Sequence, residues 1–377
     1  MSRRTKVAHV VVAGDIGGAE RLLIDLASRP EASGAEHCIA LMTPNPKLRT
    51  RFVAAGLRVR DRGPVRADPV SYLWRAFGPV DIDWLHRILR EEAADIVHVH
   101  TYASHILGVR AALRSGLPVL RTEHGVAHYS DPSCALGRAW ALRNTDALVA
   151  VSDYVGHFVA ARAAFARDRI RVVRNGVDGA YFAPTPPPSL ASSGEPFRFT
   201  VVCRLEAWKR VDRAIRAVAS VPGIRLTIAG SGGEERRLHR LARRLGVADR
   251  VAFLGWQADP RPAIAACHAA INCARNEPLG LSVLEAMAMQ RPVVAVATGG
   301  VPEIVRHGET GWLVSDGSAH ALARGLAEAS ADEGKAAAFG AAARQFVERE
   351  AGIETMCRGY AGAYADLLDR HTARRRG

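Results

Sequence analysis

Two carboxylates eight positions apart, Glu277 and Glu285, flank a turn in the run Arg275-Asn276-Glu277-Pro278-Leu279-Gly280-Leu281-Ser282-Val283-Leu284-Glu285. Pro278 and Gly280 mark the turn and helix-forming residues follow, which places Glu277 in a loop and Glu285 a little over one turn inside a helix. A carboxylate only accepts hydrogen bonds and can take two donors from a vicinal diol, so the pair suits sugar and ribose hydroxyls. Backbone N–H groups near Leu281 and Ser282, at the helix start, favour an anion. A second group, Val202-Cys203-Arg204-Leu205-Glu206-Ala207-Trp208-Lys209-Arg210, puts Arg204 at a strand end and Lys209 just before the next helix. A diphosphate between them would receive a planar fork and a point charge, each charge-assisted bond contributing roughly 1.5–3 kcal/mol. Read singly, both groups also fit ordinary surface charges.

Such residues must be held by something, and the chain alternates short β-branched runs with helical patterns. In the first half these are Lys6 to Ala13, helix Ala19 to Ser28, His37 to Met42, Asp95 to Val99, helix Ala103 to Arg114, Pro118 to Thr122, Asp146 to Val151 and Ile170 to Arg174. The rhythm predicts βαβ units and a parallel sheet covered on both faces. Residues 184–196, within Ala183 to Pro196, are rich in proline and small polar residues and cannot continue a helix or a central strand. The alternation then restarts with Phe197 to Cys203, helix Val211 to Ala219, Ile224 to Ala229, helix Glu234 to Leu245, Val251 to Leu254, Ala269 to Asn272, helix Leu281 to Met289 and Pro292 to Ala297. The expected organisation is therefore an N-terminal domain 1–183, a linker 184–196, a second domain 197–357, and a helix with a basic tail, 358–377, returning to the first domain. Two open parallel sheets bind ligands beyond their strand carboxyl ends, which predicts one interdomain cleft.

At 377 residues the chain suits two cores, since single cores seldom grow much beyond roughly 250 residues. No apolar stretch approaches the roughly 18 residues of a membrane span. The basic and then apolar start imitates a signal peptide, but Gly14 and Asp15 interrupt it, and a buried first strand is the expectation. Six scattered cysteines without a C-x-x-C pair read as reduced thiols in a cytoplasmic protein. The net charge of +13 makes phosphates, anionic lipid or nucleic acid plausible partners. Nothing resembling a nucleic-acid motif accompanies it. The Arg370 to Arg376 end is either a solvated tail or a contact with the inner face of an anionic membrane.

The E-x7-E pattern of Glu277 to Glu285, RLEAWKR, IAGSGGEERRL, VAFLGW and VAVATGGVPEIVRHGETGWLV resemble the retaining GT-B glycosyltransferases of family 4. GDIGGAERLLIDLA, IVHVHT, RTEHG, ALVAVSDYV and VVRNGVD follow that family's order in the first half. The resemblance spans roughly residues 7–315. It implies an α/β GT-B fold of two Rossmann-like domains facing across a cleft. It implies transfer of a sugar from a nucleotide-diphosphate sugar, a co-substrate, to a glycan, lipid-linked or small-molecule acceptor in cell-envelope or polysaccharide biosynthesis. Neither a metal nor any other cofactor is implied. Arg204 and Lys209 would bind the diphosphate, Glu277 the transferred sugar and Glu285 the ribose, with Gly280, Leu281 and Ser282 alongside. Gly17 and Gly18 match the family's acceptor-side glycine loop, and His124 matches a histidine beside the sugar.

Other readings are weaker. Gly230-Ser231-Gly232-Gly233 lacks the third glycine of a dinucleotide fingerprint because Glu235 stands there. His98 and His100 alternate on one strand, with His105, His124 and His128 following, yet no cysteine or carboxylate completes a metal-ligand set. His100 is instead expected to line the acceptor side. Ser152 and Ser282 lack a G-x-S-x-G setting. A nucleotide-sugar 2-epimerase on the same fold and an anion- or nucleic-acid-binding protein are the alternatives in function. The segment Asp61 to Pro79, with Tyr72, Trp74 and Phe77, is expected to pack against its domain, and Asn175 to form a turn at the hinge.

Overall fold

A computed structural model describes residues 3–376 except 13–16, 44, 64–67, 69–70, 72–73, 76, 187 and 189–194. Gly14, Asp15, Tyr72 and the corresponding part of the proline-rich run therefore lie outside the described residues. The chain forms two compact units, Met1–Asn175 with Ile353–Gly377, and Gly176–Gly352.

The first unit holds a seven-stranded sheet of β1 (Thr5–Val11), β2 (Ala35–Leu41), β3 (Arg58–Asp61), β4 (Ile96–Val99), β5 (Val119–Glu123), β6 (Ala147–Ala150) and β7 (Ile170–Val172). Its order is β3-β2-β1-β4-β5-β6-β7, and every described pairing is parallel. Central strands such as β4 and β5 are buried throughout, as expected for a parallel sheet with helices on both faces. β3 reads Arg-Val-Arg-Asp and lies at the edge, where charge is tolerated; that composition is why no strand is expected there from sequence. The long last helix, Ile353–Arg376, belongs to this unit and buries Met356, Tyr360, Tyr364 and Leu367 in its core. Arg374, near its end, pairs with Asp146 at 3.1 Å.

The second unit carries β8 (Phe197–Val202), β9 (Ile224–Ala229), β10 (Val251–Gly255), β11 (Ala269–Asn272), β12 (Val293–Val296) and β13 (Gly311–Val314) in the order β10-β9-β8-β11-β12-β13. These pairings too are parallel. The chain passes from the first unit to the second after Asn175, upstream of the expected boundary at 183, and returns after Gly352 rather than 357. Side chains of the second unit account for the early start: Arg344 donates to the carbonyls of Gly179 and Phe182, and Arg261 to that of Tyr181. The residues that follow are held in the same way. Arg291, fully buried, donates to the carbonyls of Thr185 and Pro186, and His268 Nε2 lies 2.9 Å from the Pro188 carbonyl. The described part of the proline-rich run is thus tied to the second unit.

Among the described residues no helix is long and apolar enough to cross a membrane. Trp74 and Phe77, expected to pack inward, are 75% and 60% exposed. The inward position is taken by Arg75, whose Nε donates to the buried Asp81 at 2.5 Å.

Candidate functional site

In the second unit three strand-end loops meet. The loop after β8 carries Arg204 and Lys209, the loop after β11 carries Glu277, and the loop after β12 contains Thr298, Gly299 and Gly300. Backbone bonds knit them: Arg275 N–H donates to the Trp208 carbonyl at 2.8 Å and Gly300 N–H to the Glu277 carbonyl at 2.9 Å. Asn276, with φ of 58°, donates its N–H to Thr298 Oγ1 at 3.1 Å.

The loops after β11 and β12 approach closely at Gly299, whose φ is +62° and where an added Cβ would stand 1.9 Å from the Glu277 carbonyl oxygen. Only glycine fits that backbone against that neighbour. Gly299→Ala is expected to cost at least about 2 kcal/mol in stability, from left-handed strain plus displacement of the Glu277 loop. Urea unfolding checks this, and a midpoint unchanged from the parent would contradict it.

Lys209 Nζ lies 2.6 Å from Glu277 Oε2, with the two side chains 14% and 8% exposed. Lys209 also sits 4.1 Å from the centre of the Trp208 ring, a cation–π contact. The fold therefore joins two residues 68 positions apart into one largely buried ion pair. Arg204 is not part of it: its side chain is 53% exposed and its guanidinium is bonded to Glu206 at 2.8 Å. Glu206 in turn accepts from the Trp208 indole N–H, so the loop's charges are held within the loop.

Helix Leu281–Ala288 starts from Gly280, which has φ of +102° and offers no capping side chain. Its first-turn N–H groups, at Leu281 and Ser282, point beyond the helix end without intrahelical acceptors. Glu285 lies on this helix and is buried. The Gly230–Gly233 run has a local reason: Gly230 and Gly232, both at positive φ, abut the carbonyls of Cys203 and Leu205, so the run backs the Arg204 loop. Sequence reasoning missed Trp208, Glu206 and Gly299 as shapers of the site. All three lie in segments that carry the family resemblance, which was their only available signal.

Gly17, Gly18 and His124 belong to the first unit. Gly17 caps helix Gly18–Ala27, and its N–H donates to Glu20 Oε2 at 2.8 Å. His124 follows β5, where its Nε2 lies 3.1 Å from His100 Nδ1. His100 does not line an open surface as expected: it is 5% exposed, and both of its ring nitrogens meet other histidines. Beside it, Arg121 and Glu123 form a buried two-bond pair at 2.7 and 2.8 Å. That pairing holds the Glu123 carboxyl below its ordinary range despite burial, which acts the other way. Asn175, expected in a hinge turn, is buried at the end of the first unit with its side-chain oxygen unpartnered among the described residues.

His9, His98 and His100 each bring a ring nitrogen to within 4.8 Å of the others, which raises the question of a metal. All six of their nitrogens are engaged: His9 with His100 and His37, His98 with Tyr364 and Thr122, His100 with His9 and His124. The donor set is thus satisfied without an ion.

Residues 183–346 match the family described as glycosyl transferases group 1, and residues 16–180 match glycosyltransferase family 4. A D-inositol 3-phosphate glycosyltransferase of Mycolicibacterium paratuberculosis is 32% identical over 368 residues, covering 87% of this chain and 82% of that one. A lipopolysaccharide core biosynthesis glycosyltransferase, LpsE, of Rhizobium meliloti is 42% identical over 118 residues, 31% of this chain and 35% of that protein. The structure of Anabaena Alr3699/HepE in complex with UDP and glucose superposes with a TM-score of 0.82 at 23% identity, covering 96% of this chain and all of that one. At that identity the likeness is one of fold, the GT-B arrangement of two parallel-sheet α/β domains.

Proposed function

The chain belongs to the glycosyl transferases of group 1, and we propose that it moves a hexosyl group from a nucleoside-diphosphate sugar to an acceptor hydroxyl, with retention at the anomeric carbon. The observation that carries this reading is the Lys209–Glu277 pair in the second unit. A cation suited to a phosphate and a carboxylate suited to a diol stand side by side, largely out of water, where each interaction with a ligand is strengthened.

In this reading the diphosphate takes Lys209 and Arg204, the latter exchanging Glu206 for phosphate oxygens. The N–H groups at Gly280, Leu281 and Ser282 add the positive end of a helix dipole. As the bond to the anomeric carbon breaks, negative charge grows on the departing phosphate, and these fixed positive groups stabilise it. Glu277, released from Lys209, accepts from the sugar's hydroxyls, and Glu285 from the ribose. By the family resemblance Gly17 and Gly18 serve the phosphates and acceptor, and His124 the sugar. No metal is needed, since Arg204, Lys209 and the helix start supply the positive charge.

The Anabaena structure, described as a complex with UDP and glucose, supports a nucleotide-sugar donor. The names of the relatives support a polyol phosphate, glycan or lipid-linked glycan as acceptor, and with it a role in cell-envelope biosynthesis; the net charge of +13 supports work at an anionic membrane face.

A panel of UDP-, GDP- and ADP-sugars read by thermal unfolding tests the donor. A cognate nucleotide sugar at a hundred times its Kd is expected to stabilise by about 2.7 kcal/mol, a shift of roughly 5–10 °C for a unit of this size. Nucleotide release on adding acceptor should follow for the same sugar. No shift with any member of the panel would sink the proposal.

A further inference from the structure

Within the first unit, His37, His9, His100 and His124 form one hydrogen-bonded line across the sheet. His37 lies near the start of β2 and lines a cavity of about 430 Å³ with Lys6, Glu36 and Arg58, at the end of the sheet where β1, β2 and β3 begin. His124 lies at the opposite end, just past the carboxyl end of β5. Between them His9 and His100 are buried. The contacts are His124 Nε2 to His100 Nδ1 at 3.1 Å, His100 Nε2 to His9 Nδ1 at 2.9 Å, His9 Nε2 to His37 Nδ1 at 2.8 Å, and His37 Nε2 to Ser33 Oγ at 2.8 Å. Ser33 Oγ is also 2.9 Å from the Arg29 carbonyl oxygen.

A neutral imidazole donates through one nitrogen and accepts through the other. In an unbranched line of neutral rings, a direction set at one end therefore runs through to the other. The Arg29 carbonyl can only accept, and the Ser33 hydroxyl has one proton. All five contacts are hydrogen bonds only if Ser33 donates to Arg29 and accepts from His37 Nε2–H, with each ring donating from Nε2 to the next. The opposite direction spends the Ser33 proton on His37 and loses the bond to Arg29. Burial keeps the rings neutral: His9 and His100 are held well below the ordinary histidine range and His37 and His124 are lowered to about 4, desolvation being the largest cause in each.

We infer that this histidine line is a positioning device that fixes His124 as the Nε2–H tautomer and leaves its Nδ1 as a bare hydrogen-bond acceptor. Ser33, His37, His9 and His100 act through His124 and touch no substrate. An acceptor nitrogen accepts a hydrogen bond from a hydroxyl and repels a carboxylate or phosphate oxygen. Resting on the proposed role of His124 as a sugar contact, the group that meets it is then a sugar hydroxyl, and a neutral sugar is preferred over a uronic acid.

Long-range proton–nitrogen spectra of the full chain labelled with 15N-histidine decide this without any substrate, so the outcome stands apart from whether the chain transfers a sugar. The expected result is the Nε2–H signature at His9, His37, His100 and His124 together. Ser33→Ala removes the group that sets the direction and is expected to lower the ratio of the two His124 tautomers by roughly 3–10-fold, the worth of one hydrogen bond. Should that variant fail to fold, the parent spectrum still decides. An Nδ1–H signature at His124 in the parent, an unchanged ratio in folded Ser33→Ala, or a metal ion retained at one per chain by the purified protein would overturn the inference.

Discussion

Lys209→Ala is expected to lower turnover by about 10²–10³-fold, the range for loss of one preorganised charge aimed at a transition state. It is also expected to destabilise the ligand-free protein, because Lys209 is the partner of a Glu277 side chain only 8% exposed. Removing one member of such a pair leaves a carboxylate out of water without compensation, at a cost of about 1–3 kcal/mol here. Loss of activity in the single variant therefore has two candidate causes, and a double variant separates them. Lys209→Met with Glu277→Gln removes both charges and keeps the volumes, so the unfolding free energy should return to within about 1 kcal/mol of the parent. Turnover should remain at or below that of the single variant, since neither the phosphate charge nor the diol acceptor is restored. Steady-state nucleotide release together with urea unfolding on the three proteins measures both quantities. Recovery of turnover along with stability would show that the pair is structural and that the donor binds elsewhere.

Acid is expected to unfold the first unit before the second. His9, His98, His100 and His105 are held well below the ordinary histidine range, and His37, His124 and His128 are lowered to about 4, with burial the leading cause in all seven. The unfolded chain takes up protons on these groups from about pH 6.5 downward, whereas the folded unit does so only near or below pH 4. Between those values the unfolded state binds more protons, so stability is full above about pH 6.5 and is lost as pH falls. A group whose pKa drops by more than two units contributes roughly 2 kcal/mol of this loss by pH 5, and several act together in the first unit. Among the described histidines of the second unit only His268 shows a resolved lowering. The Glu123 carboxyl, also lowered, adds its loss in a separate and more acid window. Hydrogen exchange followed by peptide at pH 7, 6 and 5 should show protection falling first in β1, β4 and β5 while β8 and β11 hold. Equal loss in both units would contradict the buried neutral histidines.

The sequence by itself determined the elements and the chemical types at the strand ends. Apolar runs such as Ala269 to Asn272, separated by amphipathic helical stretches, admit little besides parallel strands covered on both faces, because burial on both faces removes the alternation that an exposed sheet would show. The turn at Pro278 and Gly280 and the helix at Leu281 follow from backbone preferences that act within a few residues. The weakly patterned β3 escaped because an edge strand needs no continuous apolar run.

What only the tertiary structure decided are the contacts between residues far apart in the chain. Glu277 pairs with Lys209 rather than with Arg204, because Arg204 is taken by its neighbour Glu206 while the loop after β11 crosses the loop after β8. Gly299 is needed not by its own turn alone but by the Glu277 carbonyl lying against it. His9 and His37, ordinary members of apolar strands in the sequence, become a line with His100 and His124 because the order β2-β1-β4-β5 sets β1 beside β4 and so joins two pairs of consecutive strands. Local preferences choose strands and turns one segment at a time, whereas pairing of charges and rings depends on strand order and register, which the packing of the whole unit selects.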